Sequence, residues 1–363
     1  MKSPLRILFG SCVLARGHGV SLVIRELALR LRQRMPTALI AVAAMQHDQE
    51  YTNSLEEAGI AVLPCRPELA EKVVTAWRPD VFVPHTAPFF TMAPRGARVV
   101  VHEHGDPSPQ LFGEDRDERE RQRLGKQLEV YARADAVVAI SEFQRQDLPW
   151  PQAQLLYNGC NHVTDLGPKA AEELAIGDEP CFRLGVLSRL DGGEAFYKGF
   201  ELLQQLTPRL RVAIAGLNLE YCGKISPAQA QKLRAEAWQV HAGVSDEKRN
   251  SWLRSCHVVL SPSLWEGFNL PLVEAQALGT MALAFDTGAH PEVTPFICGG
   301  LAEMEGLLLA LNQDRAMLAQ YSADAYRFVR ERFDWDQTAD ALAQLLGSLS
   351  PPFRLYQPLK RLS

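Results

Sequence analysis

The chain has 363 residues, enough for two units that each bury a core, and its formal net charge of −5 argues against non-specific nucleic-acid binding, which needs a basic surface. Its cysteines (Cys12, Cys65, Cys160, Cys181, Cys222, Cys256, Cys298) are scattered, with no Cys-x-x-Cys and no tight His/Cys cluster, which suits a reducing cytoplasm and gives no structural-zinc pattern. No apolar run reaches the ~20 residues of a membrane span and the N-terminus does not read as a secretion signal, so the expected place is the cytoplasm, at most peripheral on the inner face of the plasma membrane.

Short apolar runs alternate with stretches of helical period, the pattern of a parallel α/β sheet. Arg6–Phe9 reads as the first strand and Ser21–Gln33 as the helix after it, with Arg16-Gly17-His18-Gly19-Val20 leading in. A dinucleotide site would want a third glycine where Leu22 stands and an acid closing the second strand; Leu39–Ala44 runs instead into Met45-Gln46-His47, which disfavours hydride transfer. Arg25, Arg30, Arg32 and Arg34, on or just after the first helix, are a candidate contact for anionic lipid. Further strands are expected at Ala61–Leu63, at Val81–Val83 leading to His85, at Arg98–Val101 and at Ala136–Ile140. The strand at Arg98 ends in His102-Glu103-His104-Gly105-Asp106, a titratable cluster at a strand end and so a functional candidate, whereas His47, His85, His162 and His290 have no comparable context, though His85 also closes a strand and is a candidate for the acceptor side. Gln110–Arg133, with acids and arginines interleaved, reads as one solvated helix, and Ser141 as the cap of another.

Leu166–Pro180, polar and bracketed by Gly and Pro, is the linker candidate. A second strand series follows at Arg183–Leu187, Arg211–Ala215, Trp238–Val240, Val258–Leu260 and Met281–Ala284. The expected fold is therefore α/β: Rossmann-like units over 1–165 and 182–335 facing across a cleft, a linker at 166–181, and a C-terminal helix and tail over 336–363. Beyond the strand end at Leu187, where open parallel sheets bind ligands, Arg189 and Lys198 match the two charges of a diphosphate. In Ser263-Leu-Trp-Glu-Gly-Phe-Asn-Leu-Pro-Leu-Val-Glu-Ala-Gln-Ala-Leu-Gly279, Glu266 and Glu274 stand eight apart across a turn that opens a helix. Pro271 fits its first position, Glu274 its first turn, and Gly279 the left-handed residue past its end. Free N–H groups at a helix start bind an anion, and an anion flanked by carboxylates is a ligand part phosphate and part polyol. A nucleotide sugar is such a ligand, its diphosphate on the helix start and its vicinal hydroxyls on the acids.

The stretch Pro262–Gly279, continued through Asp286–Glu292, resembles the signature of retaining glycosyltransferases of the GT-B fold, in particular glycosyltransferase family 4. Asn269 stands where the family more often has Gly, Ser188 replaces another Gly, and extra residues separate Arg189 from Lys198. The resemblance implies that the C-terminal unit holds the donor, the N-terminal unit brings the acceptor, and the last helix, Phe333–Leu346, crosses back to the N-terminal unit. It also implies roles. His104 lies near the transferred sugar, with His102 in the place of the pattern's Thr; Arg189, Lys198 and the helix start take the diphosphate. Glu266 holds a sugar hydroxyl and Glu274 the ribose, Gly267, Phe268, Asn269 and Leu270 line the donor, Gly17 and Gly19 let backbone approach it, and Val244 meets the base. A retaining, metal-independent hexosyl transfer with no cofactor is implied, since no Asp-x-Asp is singled out to hold a metal–diphosphate. The expected partners are a nucleotide sugar, UDP-linked first and GDP-linked next, and a saccharide or lipid-linked acceptor in bacterial polysaccharide or lipopolysaccharide synthesis. A nucleotide-sugar epimerase or phosphorylase, or a non-catalytic sugar-binding protein on the same fold, remain the other readings.

Overall fold

The computed structural model describes residues 3–92, 94–174 and 181–349. Seven parallel strands form the first sheet: β1 (Arg6–Leu14), β2 (Leu39–His47), β3 (Ala61–Pro64), β4 (Val81–Pro84), β5 (Arg98–His102), β6 (Ala136–Ala139) and β7 (Gln154–Leu155), in the order β3-β2-β1-β4-β5-β6-β7. Six more form the second: β8 (Phe182–Leu190), β9 (Leu217–Ile225), β10 (Gln239–His241), β11 (Val258–Ser261), β12 (Met281–Phe285) and β13 (Ile297–Cys298), in the order β10-β9-β8-β11-β12-β13. Strands such as β4, β6 and β12 are buried along their whole length, as parallel strands covered on both faces must be. In both sheets the strand order reverses beside the first strand, between β1 and β4 and between β8 and β11, and crevices for ligands open at such points beyond the carboxyl ends.

The helices of the first unit are α1 (Gly19–Arg34), α2 (Gln49–Glu57), α3 (Ala70–Trp77), α4 (Arg116–Glu129) and α5 (Glu142–Asp147). Then come α6 (Ala171–Leu174), α7 (Phe200–Ala213), α8 (Pro227–Ala235), α9 (Asp246–Ser255), α10 (Leu270–Ala277), α11 (His290–Val293), α12 (Leu301–Gln313), α13 (Arg315–Arg332) and α14 (Trp335–Ser348). α14 leaves the second unit and lies on α1 of the first: Arg34 Nε bonds Asp340 at 2.5 Å, its NH2 bonds Asp336 at 3.0 Å, and Trp335 is fully buried at the crossing. Gly159 passes so close to the Trp335 backbone nitrogen that no Cβ fits there. A single apolar cluster runs from β1, β2 and α1 through Phe268, Leu270 and Val273 to Leu342 and Leu346, tying the units together.

Three sequence readings are corrected. Arg211–Ala215 is not a strand: α7 continues to Ala213, through Pro208, and the strand is β9. Gln110–Arg133 is not one solvated helix; short 3-10 turns flank α4, whose Lys126 reaches inward to the buried Glu103 carboxylate at 2.9 Å. Arg25, Arg30 and Arg34 are engaged by Ser54, Glu26, Asp336 and Asp340, and Arg32 by the carbonyls of Pro36 and Ala38, so these side chains serve the fold rather than presenting a free basic face. The segment read as a linker lies against the second unit, where Lys169 is buried beside Gly279 and Leu174 joins the core. Of that segment, 175–180 lie outside the described residues, as do 350–363 of the expected tail.

Candidate functional site

The second unit builds one wall. After β11 the chain turns through Pro262–Asn269 into α10, and the turn closes on Asn269 in the left-handed conformation (φ 72°, ψ 67°), which Asn tolerates better than most residues. Asn269 also does what glycine there could not. Its Nδ2 donates to Ser261 Oγ at 3.0 Å and to His290 Nε2 at 2.9 Å, while its Oδ1 accepts from Leu272 N at 3.4 Å as a helix cap. His290 Nδ1 in turn donates to the Phe285 carbonyl at 2.9 Å, and burial holds this imidazole below its ordinary pKa, hence neutral. Two placements differ from the sequence reading: Pro271 is the second helical residue, and Glu274 lies in the second turn. With no N–H on Pro271 and that of Leu272 turned to Asn269, the start of α10 offers fewer donors to an anion than a bare helix end.

Arg189 and Lys198, expected together on a diphosphate, each sit in a closed ion pair. Lys198 Nζ lies 2.9 Å from both oxygens of Glu266, which also accepts from Ser263 Oγ at 2.8 Å. Arg189 is gripped bidentately by Glu194, with Nε 2.7 Å from Oε2. Glu194 belongs to the residues inserted between Arg189 and Lys198, so the insertion supplies the partner of the first cation. Arg189 NH groups outnumber these bonds, and a diphosphate reaching it would compete with Glu194.

Glu274 is buried, and sequence reasoning missed what holds it. His162 Nε2 lies 2.9 Å from Oε1, and Arg249 NH2 lies 3.5 Å from the same oxygen. Trp335 Nε1 can only donate, and it donates to His162 Nδ1 at 3.0 Å, so the His162 proton sits on Nε2 and points at Glu274. Burial alone would raise this carboxyl; Arg249 and the His162 bond outweigh it and hold Glu274 below the ordinary carboxylate pKa, ionised. The signal available was weak: a histidine just after the Asn158-Gly159 turn, 112 residues from its acid.

The first unit builds the other wall. Gly17 (φ 74°) needs the conformation that glycine allows, and Gly19 starts α1 with its Cβ direction 3.6 Å from Leu270 Cδ1. The first turn of α1 has neither a side-chain cap nor an acid. His18 before it is held below its ordinary pKa by burial and then by the field of Arg189. β2 does end beside an acid, Asp48, contrary to the sequence reading; its side chain caps α2 through Tyr51 N at 2.8 Å and fixes the glycine loop through Arg16 N at 2.7 Å.

His85 after β4 and His102 and His104 at the end of β5 cluster, with His85 Nδ1 2.9 Å from His104 Nε2. The backbone around His104 is where the walls meet. Gly267 lies against the His104 carbonyl with no room for a Cβ, and Gly105 lies against Trp265, where a Cβ would stand 2.6 Å from the ring. Beside Gly105 a cavity of about 330 Å³ is lined by Glu103, Asp106, Arg123, Lys126, Tyr131 and Gln144, and the buried Gln144 Nε2 has no hydrogen-bond partner among the described residues. Phe268 and Leu270 are buried in the cluster joining the units. Val244 precedes Ser245, the cap of α9. Thus the structure brings together Gly19 with Leu270, His104 with Gly267, and Lys198 with Glu266; it separates Arg189 and Lys198 into different pairs.

Comparison with known proteins agrees with this arrangement. Residues 182–325 match the family described as Glycosyl transferases group 1, and residues 13–162 match Glycosyltransferase Family 4. The chain is 40% identical over 102 residues to an MMP alpha-(1->4)-mannosyltransferase of Mycolicibacterium hassiacum, a match covering 26% of this chain and 25% of that one. It is 29% identical over 238 residues to LpcC, a lipopolysaccharide core biosynthesis mannosyltransferase of Rhizobium leguminosarum bv. viciae, covering 60% of this chain and 65% of the relative. The matches therefore span 25% and 65% of the length of these two relatives. In fold it is similar to the Anabaena protein HepE, solved in complex with UDP-glucose, with a TM-score of 0.73 at 19% identity over 95% of this chain and 100% of that one. With one family match on each unit and two parallel sheets facing each other, the chain belongs to glycosyltransferase family 4 and has the GT-B fold.

Proposed function

We propose that this protein transfers a hexose from a nucleoside diphosphate sugar, UDP-linked first and GDP-linked next, to a hydroxyl of a saccharide or lipid-linked acceptor in cell-surface polysaccharide or lipopolysaccharide synthesis. The anomeric configuration is retained and no metal is needed on the diphosphate. Support comes from the joint at Gly267: the loop bearing Glu266 and opening α10 lies against His104, so acids, cations and this histidine line one cleft. As the bond from the anomeric carbon to the leaving oxygen lengthens, charge grows on the diphosphate, and Arg189, Lys198 and the uncapped start of α1 are the groups to stabilise it. Glu274, ionised and braced, takes ribose hydroxyls, and Glu266 a hydroxyl of the sugar. The departing phosphate oxygen accepts the acceptor's proton as the new bond forms on the same face. The acceptor enters from the first unit, where the cavity beside Gly105 offers Gln144, Asp106 and Lys126 to polyol hydroxyls.

The test is a thermal-shift screen with UDP, GDP, ADP and their sugars, then transfer of labelled hexose with the product anomer read by NMR. A ligand at 100 times its Kd should stabilise the fold by about 2.7 kcal/mol. Mannose donors come first, because the relative LpcC is named a mannosyltransferase. Loss of Arg189 should cost about 3–4 kcal/mol of transition-state stabilisation. Failure of every nucleotide and nucleotide sugar to bind would overturn the reading.

A further inference from the structure

His102 is the least explained polar side chain in the cleft wall. It stands where the resembled pattern has threonine, is fully buried, and neither ring nitrogen has a hydrogen-bond partner among the described residues; His85 Nε2 is likewise unpartnered. Each buried polar atom left so costs about 1–3 kcal/mol, an arrangement that calls for an occupant. His102 closes β5 and His104 follows two residues on, while His85 follows the last residue of β4, the strand paired with β5. The three rings lie 4.5–5.1 Å apart, centroid to centroid, and one ring nitrogen of each is within 4.8 Å of those of the other two.

We propose that His85, His102 and His104 form a three-imidazole site for a zinc ion on the N-terminal wall of the cleft. Three histidines with an open fourth position are an established donor set for Zn²⁺, with Zn–N of about 2.0–2.1 Å. A neutral imidazole has one ring nitrogen with a lone pair to give. His85 Nδ1 and His104 Nε2 are already 2.9 Å apart. For an ion to take the proton's place, the ring that now donates between them must move its proton to its other nitrogen and the two nitrogens must part slightly. The ring planes, within 28° of one another, do not yet converge, and His102 must turn about its broad χ2. That turn breaks no hydrogen bond, since His102 makes none among the described residues. Its second nitrogen also lacks the outer acceptor that strengthens metal–histidine bonds, so the site holds its ion reversibly. The fourth position faces the open side of the partly exposed His104.

The experiment is titration of metal-free protein with Co²⁺, read by the visible absorption of a tetrahedral ion, and competition with Zn²⁺ followed by calorimetry. The expected result is saturation at one ion per chain, displacement by Zn²⁺, and weakening by about a hundredfold or more in His102→Thr and His85→Gln, since even outer partners of such ligands are worth 10–100-fold. His47→Gln, a histidine outside the cluster, should bind as the parent does. A parent protein that takes up neither ion, or a folded His102→Thr that binds unchanged, overturns the proposal, and the first outcome needs no variant to fold. A consequence rests on the transfer reading above: an ion on His104 should lower turnover, restored by chelation. Binding with undiminished turnover would count against the role given to His104 and leave the site standing.

Discussion

Asn269 is the residue where the sequence departs from its family pattern and the structure shows why the departure is tolerated. The position needs a left-handed backbone, and the side chain that fills it joins Ser261, His290 and the first turn of α10. Asn269→Gly should keep the conformation and lose the cap, at about 0.3 kcal/mol, whereas Asn269→Ala should lose the cap and add backbone strain, at about 2–3 kcal/mol. Urea denaturation of the two variants decides it, and an Ala variant as stable as the Gly variant would refute the account. Lys169 makes a second residue-scale prediction. Its ammonium is buried with the Cys256 carbonyl as its acceptor, and burial, followed by the nearby Arg254, pushes its pKa down to about 7. Unfolded, it titrates near about 10.4. Between those values the unfolded chain binds the extra proton, so stability rises with pH, and the penalty of burying the charge is fully present only below about pH 7. Relative to Lys169→Met, the parent should gain about 1.4 kcal/mol per pH unit from about pH 7 to 10. Parallel stability curves would show the lysine charged throughout.

Elements join the two units through groups far apart in sequence. The Glu292 carboxylate accepts from the backbone N–H groups of Glu142 and Phe143, both at 2.7 Å, and from the Tyr157 hydroxyl at 2.8 Å. Ser141 caps the third free N–H of the same helix, that of Gln144, at 3.0 Å. A carboxylate of the second unit thus completes the start of α5 in the first, where the helix dipole favours it. Glu292→Ala should cost about 2–3 kcal/mol and let the units part. Solution scattering should report a larger radius of gyration for the variant, and an unchanged radius would limit Glu292 to a local role. The same scale shows what was legible beforehand. The Glu266–Gly279 turn and helix could be read because proline, glycine and asparagine specify them locally. β9 could not, because Glu220 in mid-strand is buried against Arg183, Asn218, His241 and Trp252 around it, while Val212-Ala213-Ile214 nearby imitates a strand. His162 on Glu274 and Glu292 on α5 pair across 112 and 150 positions, and local pattern has no access to such pairs.

The whole molecule depends on α14 returning to α1, and here surface charge and architecture make opposing predictions. If the arginines of α1 served a membrane, they would face solvent and the clasp would need another source. Arg34 instead has 19% of its side chain exposed, bonds Asp336 and Asp340, and has its pKa raised by Asp340, while Arg30 lies 3.5 Å from Asp336. Exposed ion pairs are each worth little, but these are linked, and reversing one charge makes two attractions repulsive. Arg34→Glu should therefore destabilise the protein by about 1–2 kcal/mol, more at low salt than at high, because screening weakens the repulsion. It should leave any association with anionic vesicles unchanged, since the cation it removes is already spent on aspartates. Denaturation at two ionic strengths and vesicle co-sedimentation measure both. A variant with full stability and lost vesicle binding would return these arginines to the membrane and leave α14 held by Trp335 and its apolar neighbours alone.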